Sequence, residues 1–199
     1  LSGVMIEDQV WPKRCGHMAG KAVIPAEEMV QKVKAAVDAR RDGDFIIRAR
    51  TDAAGPLGID AAIERLNLYA EAGADILFAD ALLTAEDIEK AARNVPKPLS
   101  VNMGLGIRSR PTTPLIHPKR LQEMGVHCVS YPRLLTTAAV KGMMNAMAAF
   151  NEMLAGDEPV DRPDLLVSFG ELNALTGFDE LEKMDEKYAV SPTVGQAAE

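Results

Sequence analysis

Short apolar runs alternate along the chain with longer stretches whose apolar residues recur at helical spacing, the pattern of βα units around a parallel sheet. Val4-Met5-Ile6 reads as a first strand, and Pro25 opens a helix to about Arg40, with Glu27 and Glu28 suited to its positive N-terminal end. Asp44 to Arg50 reads as the second strand. Ile59 to Ala72 reads as a helix with Ile63, Leu66, Tyr69 and Ala70 on one face, stopped by Gly73. Ile76-Leu77-Phe78-Ala79 is the third strand, and Thr84 caps the helix after it, with Asp87 in the first turn. Leu99-Ser100-Val101 follows the Pro96-Lys97-Pro98 punctuation as a fourth strand. A helix from Pro118 to Met124, a strand from His127 to Tyr131 and a helix from Thr136 to Leu154 complete the series. The methionines of that last helix read as core filler.

Five strands, each followed by a helix, suit the second half of a (β/α)8 barrel. Runs this apolar predict strands covered on both faces. The chain therefore divides into a partial α/β barrel over 1–156 and a linker with a helical arm over 157–199. In that arm Asp157 to Asp164 is polar and proline-bearing, and Ser168 to Tyr188 reads as two short amphipathic helices broken at Gly177.

Composition narrows the function classes. With 47% hydrophobic residues in 199 there is ample material for a core, and a net charge of −7 argues against a nucleic-acid surface. No signal-peptide pattern and no apolar run near 20 residues is present, which predicts neither secretion nor membrane insertion. Two cysteines, Cys15 and Cys128, make no disulfide framework and suit a reducing compartment. The expected location is the cytoplasm, with the mitochondrion as the alternative. Cys128 sits in the apolar run Val126 to Val129 and reads as a small buried hydrophobe.

The chemistry-bearing residues gather where predicted strands end, which in a barrel is where the active site forms. Glu7 and Asp8 follow the first strand, Arg50 and Asp52 the second, Asp80 the third and Asn102 the fourth. Arg50 has the planar fork that grips a carboxylate, and Asn102 offers an amide donor. Cys15 lies among Lys13, Arg14 and His17, and positive neighbours favour the thiolate of a cysteine. Arg108, Arg110 and Arg133 add positive charge nearby, with a solvated basic loop as the alternative for Arg108 and Arg110. Read from its neighbours, His17 hydrogen-bonds within its own loop, and no second ligand stands at metal-binding spacing from it.

Glu7-Asp8-Gln9, then Pro12-Lys13-Arg14-Cys15-Gly16-His17, then Gly20-Lys21 resemble the signature loop of the isocitrate lyase and phosphoenolpyruvate mutase superfamily. The Lys-Arg-Cys-Gly-His form resembles its carbon–carbon lyase branch, which includes 2-methylisocitrate lyase, dimethylmalate lyase and petal death protein. Ala49-Arg50-Thr51-Asp52-Ala53 and Val101-Asn102-Met103 match further motifs in the same order, and the likeness runs from residue 1 to about residue 188. The resemblance implies a TIM-type barrel of which this chain holds the strands equivalent to the fourth to eighth. It implies cleavage of a 2-hydroxy di- or tricarboxylate, malate- or isocitrate-like, into a 2-oxo acid and a second carboxylate. In that scheme Cys15 is the general acid, with Glu7, Lys13 and His17 as catalytic partners. Cys15, Gly16, Arg50, Asp80 and Asn102 would bind substrate, and residues 11–21 would act as a lid.

The same resemblance implies Mg2+ (or Mn2+), with Glu7 near the ion through water. The family's pair of metal-holding aspartates has no match here, and the chain opens at Leu1 directly into a strand, so a segment of a longer protein is expected. A homotetramer exchanging the last helix between subunits is also implied. Competing activities on this scaffold are a carboxyphosphonoenolpyruvate or phosphoenolpyruvate phosphonomutase, which needs no carbon acid at Cys15, and an oxaloacetate hydrolase or decarboxylase. Three departures bear on the substrate. Asp80 stands where the lyases commonly have glutamate, the connection after Asn102 is long, and Thr137 replaces a family arginine while Arg133 is new. These favour a smaller or differently substituted malate over 2-methylisocitrate.

Overall fold

The computed structural model describes residues 2–15, 20–106 and 113–190. Five parallel strands, β1 (Gly3–Glu7), β2 (Ile46–Thr51), β3 (Ile76–Ala79), β4 (Leu99–Asn102) and β5 (Val126–Ser130), lie side by side in sequence order. Between them run α1 (Ala26–Ala39), the short α2 (Ala54–Leu57), α3 (Ile59–Glu71), α4 (Ala85–Arg93) and α5 (Pro118–Glu123). Sequential order with a helix at each parallel crossover is the connectivity of a barrel wall.

Side chains alternate across a strand, and the two faces of this sheet differ sharply. Ile47, Ala49, Leu77, Ala79, Leu99 and Val101 face the helices and are almost wholly buried, packed with Met29 and Val33 of α1, Leu66 and Tyr69 of α3, and Ile88 of α4. Each fully buried large apolar side chain there contributes roughly 1.5–3 kcal/mol. The opposite face carries Arg48, Arg50, Asp80 and Asn102, so the described helices cover one side only. The expectation of strands covered on both faces holds for β4, where all four residues are buried, and for Leu77, Phe78 and Ala79 of β3; it fails on β1, which has no buried residue, and on β2, where Ile46, Arg48 and Arg50 on the polar face are not buried.

Local signals behave as their chemistry dictates. The Thr84 hydroxyl accepts from the Asp87 amide at 3.0 Å and starts α4. Gly73, at φ 106°, ends α3, and a Cβ there would sit 3.0 Å from Val37 Cγ2.

The chain separates into two units, Leu1–Thr137 and Ala138–Glu199. The second contains most of α6 (Leu134–Ala155), with α7 (Phe169–Thr176) and α8 (Phe178–Tyr188). Ser168 and Glu171 form a reciprocal capping box at the start of α7, and Gly177, at φ 75°, breaks α7 from α8. No residue of these three helices is buried. The reading of the methionines as core filler is therefore corrected: Met143, Met144 and Met147 are 58–62% exposed. Cys128, too, is half-buried rather than buried, since its register with Ser100 puts it on the polar face. No helix among the described residues is long and apolar enough to cross a membrane.

Candidate active site

Register builds the site. Glu7 pairs with Arg50, Arg50 with Phe78, Phe78 with Ser100, and Asn102 with Ser130, so strand ends bring these side chains into one band. A cavity of about 590 Å3 opens there, within the range of small-molecule sites. Its lining includes Lys13, Arg14, Cys15, Arg48, Arg50 and Arg133, with Phe78, Asp80 and Asn102.

The chain after β1 brings Cys15 to this place. The Asp8 carbonyl accepts from the Ile24 amide at 2.8 Å, and the Val10 amide donates to Ala22 at 3.0 Å, closing the loop's base. Gln9 then clamps Arg14 with both ends of its amide: Nε2 donates to the Arg14 carbonyl, and Oε1 accepts the Arg14 amide, each at 2.9 Å. Cys15 follows directly, exposed, with Arg133 Nη2 3.8 Å from its Sγ.

Arg50 organises the charges. Nε and Nη2 grip the two oxygens of Asp52 at 2.8 and 2.9 Å, Nη2 also reaches Asp80 at 2.8 Å, and Nε lies 3.3 Å from Glu7. Burial works against this guanidinium's charge, yet Asp52, Asp80 and Glu7 hold its pKa above the ordinary value. Burial likewise favours a neutral Asp52, but Arg50 and Lys21, whose Nζ lies 3.2 Å away, keep its carboxyl below the usual range. Asp80 behaves the other way. Burial pushes its carboxyl up to about 6, with the Arg50 charge opposing and the Asp52 charge assisting. Asn102 Nδ2 donates to Asp80 Oδ1 at 2.7 Å, while the buried Asn102 Oδ1 has no partner among the described residues. Immediately after Asp80, Ala81 adopts φ 56°, a conformation that costs a residue with a Cβ.

The structure thus gathers Cys15, Lys13, Arg50, Asp80 and Asn102 around one cavity. Glu7 is joined to two of its lining residues, Lys13 at 2.6 Å and Arg50. Gly16, His17, Arg108 and Arg110 lie outside the described residues. Asp8 and Asp52 do not line the cavity; both are wholly buried. Arg48, Phe78 and Ser130 were not anticipated, although the i, i+2 spacing of Arg48 and Arg50 on one strand was a readable signal.

A metal finds little here. Among the described residues no three His, Cys, Asp or Glu side chains converge to hold an ion, and Glu7, the one candidate, is engaged by Lys13 and Arg50. These residues do not by themselves fit a divalent cation.

The family model of phosphoenolpyruvate phosphomutase matches residues 1–151. The chain belongs to the phosphoenolpyruvate mutase and isocitrate lyase superfamily. It is 38% identical over 186 residues to the 2,3-dimethylmalate lyase of Eubacterium barkeri, covering 94% of this chain and 62% of that protein. Among solved superfamily structures it resembles oxaloacetate acetylhydrolase in complex with 3,3-difluorooxalacetate, at a TM-score of 0.83 and 27% identity, covering 96% of this chain and 62% of that one. It also resembles phosphonopyruvate hydrolase in complex with oxalate and Mg++, at a TM-score of 0.74 and 26% identity, over 94% and 62% of the two chains. The chain spans between 56% and 62% of the length of such curated relatives. Its five-stranded parallel sheet fits the C-terminal portion of the superfamily's barrel.

Proposed function

We propose that the protein is a carbon–carbon lyase that cleaves a 2-hydroxy dicarboxylate of the substituted-malate class to a 2-oxo acid and a second carboxylate. The observation that carries this reading is the thiol of Cys15 at a cavity lined by Arg48, Arg50, Arg133 and Asn102, with Arg133 3.8 Å from the sulfur. The 38% identity to a dimethylmalate lyase supports the reaction class.

In this reading the substrate's hydroxyl loses its proton to a base and the C–C bond breaks. The bonding pair stays on the departing carbon as an enolate spread over its carboxylate, and Cys15 delivers the S–H proton to that carbon. The guanidinium of Arg133 stands beside the sulfur to offset the anionic charge of both the enolate and the thiolate left behind. The Gln9–Arg14 clamp sets where the thiol sits.

Dependence on a divalent metal, supported by the Mg++ in phosphonopyruvate hydrolase, belongs to the same proposal, with Glu7 as this chain's candidate neighbour of the ion. A homotetramer in which the helical arm is exchanged between subunits is part of the reading as well.

The test is the complete protein, with Mg2+, against a panel of 2-hydroxy diacids, following 2-oxo acid release. Cys15→Ala and Cys15→Ser should lower kcat on the order of 1000-fold while substrate still binds. Undiminished turnover in either variant removes Cys15 from the mechanism. The likeness to oxaloacetate acetylhydrolase favours one second reading, hydrolytic cleavage of oxaloacetate. Oxalate release from that substrate, with none of the 2-hydroxy diacids cleaved, would select it. A phosphonomutase has no use for a proton donor at Cys15, which weighs against that alternative.

A further inference from the structure

Arg50 stands where a carboxylate clamp is expected, yet its guanidinium is already occupied by carboxylates of its own chain: Asp52 through two bonds, then Asp80 and Glu7. The Nε–Nη2 edge that would grip a carboxylate through two parallel bonds is therefore taken, which leaves a ligand only the donors of Nη1. Two residues earlier on β2, on the same face, Arg48 stands differently. It lines the same cavity, one strand repeat (about 6.5 Å) from Arg50 toward the start of β2. Its Cζ lies 4.4 Å from the centroid of the Phe78 ring, and Nη2 donates to the neutral hydroxyl of Ser100. No ion pair to it forms among the described residues, and its buried Nε has no partner there. A half-buried guanidinium that stacks on an aromatic ring, feels the Asp80 charge only at a distance and forms no ion pair with a described residue is a site prepared for an anion.

A second unpartnered group sits in the same cavity. Asn102 Oδ1 is buried and bonded to nothing described, while its Nδ2 is held by Asp80. An acceptor without a donor suits a hydroxyl.

We propose that Arg48 reads a carboxylate of the substrate on the side of the cavity toward the start of β2, with Phe78 and Ser100 setting the plane of its guanidinium and Asn102 Oδ1 accepting a hydroxyl. Arg133, beside Cys15, meets the other carboxylate. The ligand class is therefore a hydroxy diacid whose two carboxylates lie at opposite ends of the site. A monoacid leaves Arg48 without its counter-charge. This deepens the function proposed above and rests on that cavity being the substrate site.

The experiment is calorimetric titration of the complete protein, loaded with Mg2+, with malate and with lactate. Both ligands are 2-hydroxy acids, and they differ in the second carboxylate. The variants are Arg48→Met, which keeps side-chain length and the contact with Phe78, and Arg48→Lys, which keeps the charge. Arg48→Met should weaken malate binding roughly 10- to 100-fold and leave lactate within about threefold, with Arg48→Lys recovering part of the loss. Equal malate affinity in Arg48→Met and the unaltered protein overturns the proposal. So does a parallel loss of malate, lactate and melting temperature, which marks Arg48 as a structural cation. Absence of malate binding in the unaltered protein fells both this inference and the cavity's role. Arg48-dependent malate binding without cleavage of any 2-hydroxy diacid fells only the lyase reading.

Discussion

Asp8 and Asp80 occupy similar places in the sequence and opposite places in the chemistry. Each directly follows a strand, β1 or β3, and each is buried, at 0% and 1% exposure. Asp8 accepts from Thr51 Oγ1 at 2.7 Å, the Asp52 amide at 2.9 Å, Tyr69 OH at 2.8 Å and Arg65 Nη1 at 3.2 Å. Four donors saturate it, and it ties β1, β2 and α3 together away from the cavity. Burial and the Asp8 charge in turn hold the Tyr69 hydroxyl above its ordinary pKa. Asp80 accepts from Arg50 and Asn102, lines the cavity, and is held near pKa 6 by burial. A polar residue at a barrel strand's end is thus a candidate only; the face it takes decides whether it builds or binds.

The contrast can be broken from either side. The largest effect on stability is expected from Asp8→Ala, which leaves Arg65 and Tyr69 facing a vacated buried site. It should cost about 3–5 kcal/mol or prevent folding, measured by urea unfolding of the complete protein. Asp80→Asn should leave the fold intact and lower kcat on the order of 100-fold, because Arg50 and Asn102 lose the charge that positions them. If instead Asp80→Asn unfolds the protein and Asp8→Ala spares it, the two roles are exchanged.

Tyr69→Phe should cost about 1 kcal/mol with kcat and KM unchanged, since it removes one of four donors to Asp8. The subtlest test is pH. The folded-state pKa of Asp80, about 6, exceeds its ordinary 3.8, so the folded protein binds more protons between those values. Its contribution is fully present below about pH 4 and is lost as pH rises through about 6. Asp80→Asn should therefore lose less stability than the unaltered protein across that window, read as unfolding midpoints at pH 4.5 and 6.5. Parallel pH dependence of the two would show that the Asp80 carboxyl titrates normally.

Much of the architecture was legible because its signals are local. Pro25 and Thr84 start α1 and α4, Gly73 and Gly177 end α3 and α7, and the apolar spacing of Ile63, Leu66, Tyr69 and Ala70 marks the buried side of α3. The loop carrying Cys15 was legible as a motif, and the family match agrees with it. The exposure of Met143 and Met147 was not legible, since an apolar helix stripe looks the same whether or not something covers it.

The amino-acid order by itself determined which segments become strands and helices, where they stop, and which superfamily the chain joins, because those depend on neighbours a few residues apart. Only the tertiary structure decided that Arg50 is engaged by its own carboxylates, that Arg48 forms no ion pair among the described residues, and that Asp8 serves the core while Asp80 meets the cavity. Those facts follow from pleat and register between strands distant in sequence, and pairing across such separations leaves no trace in local composition.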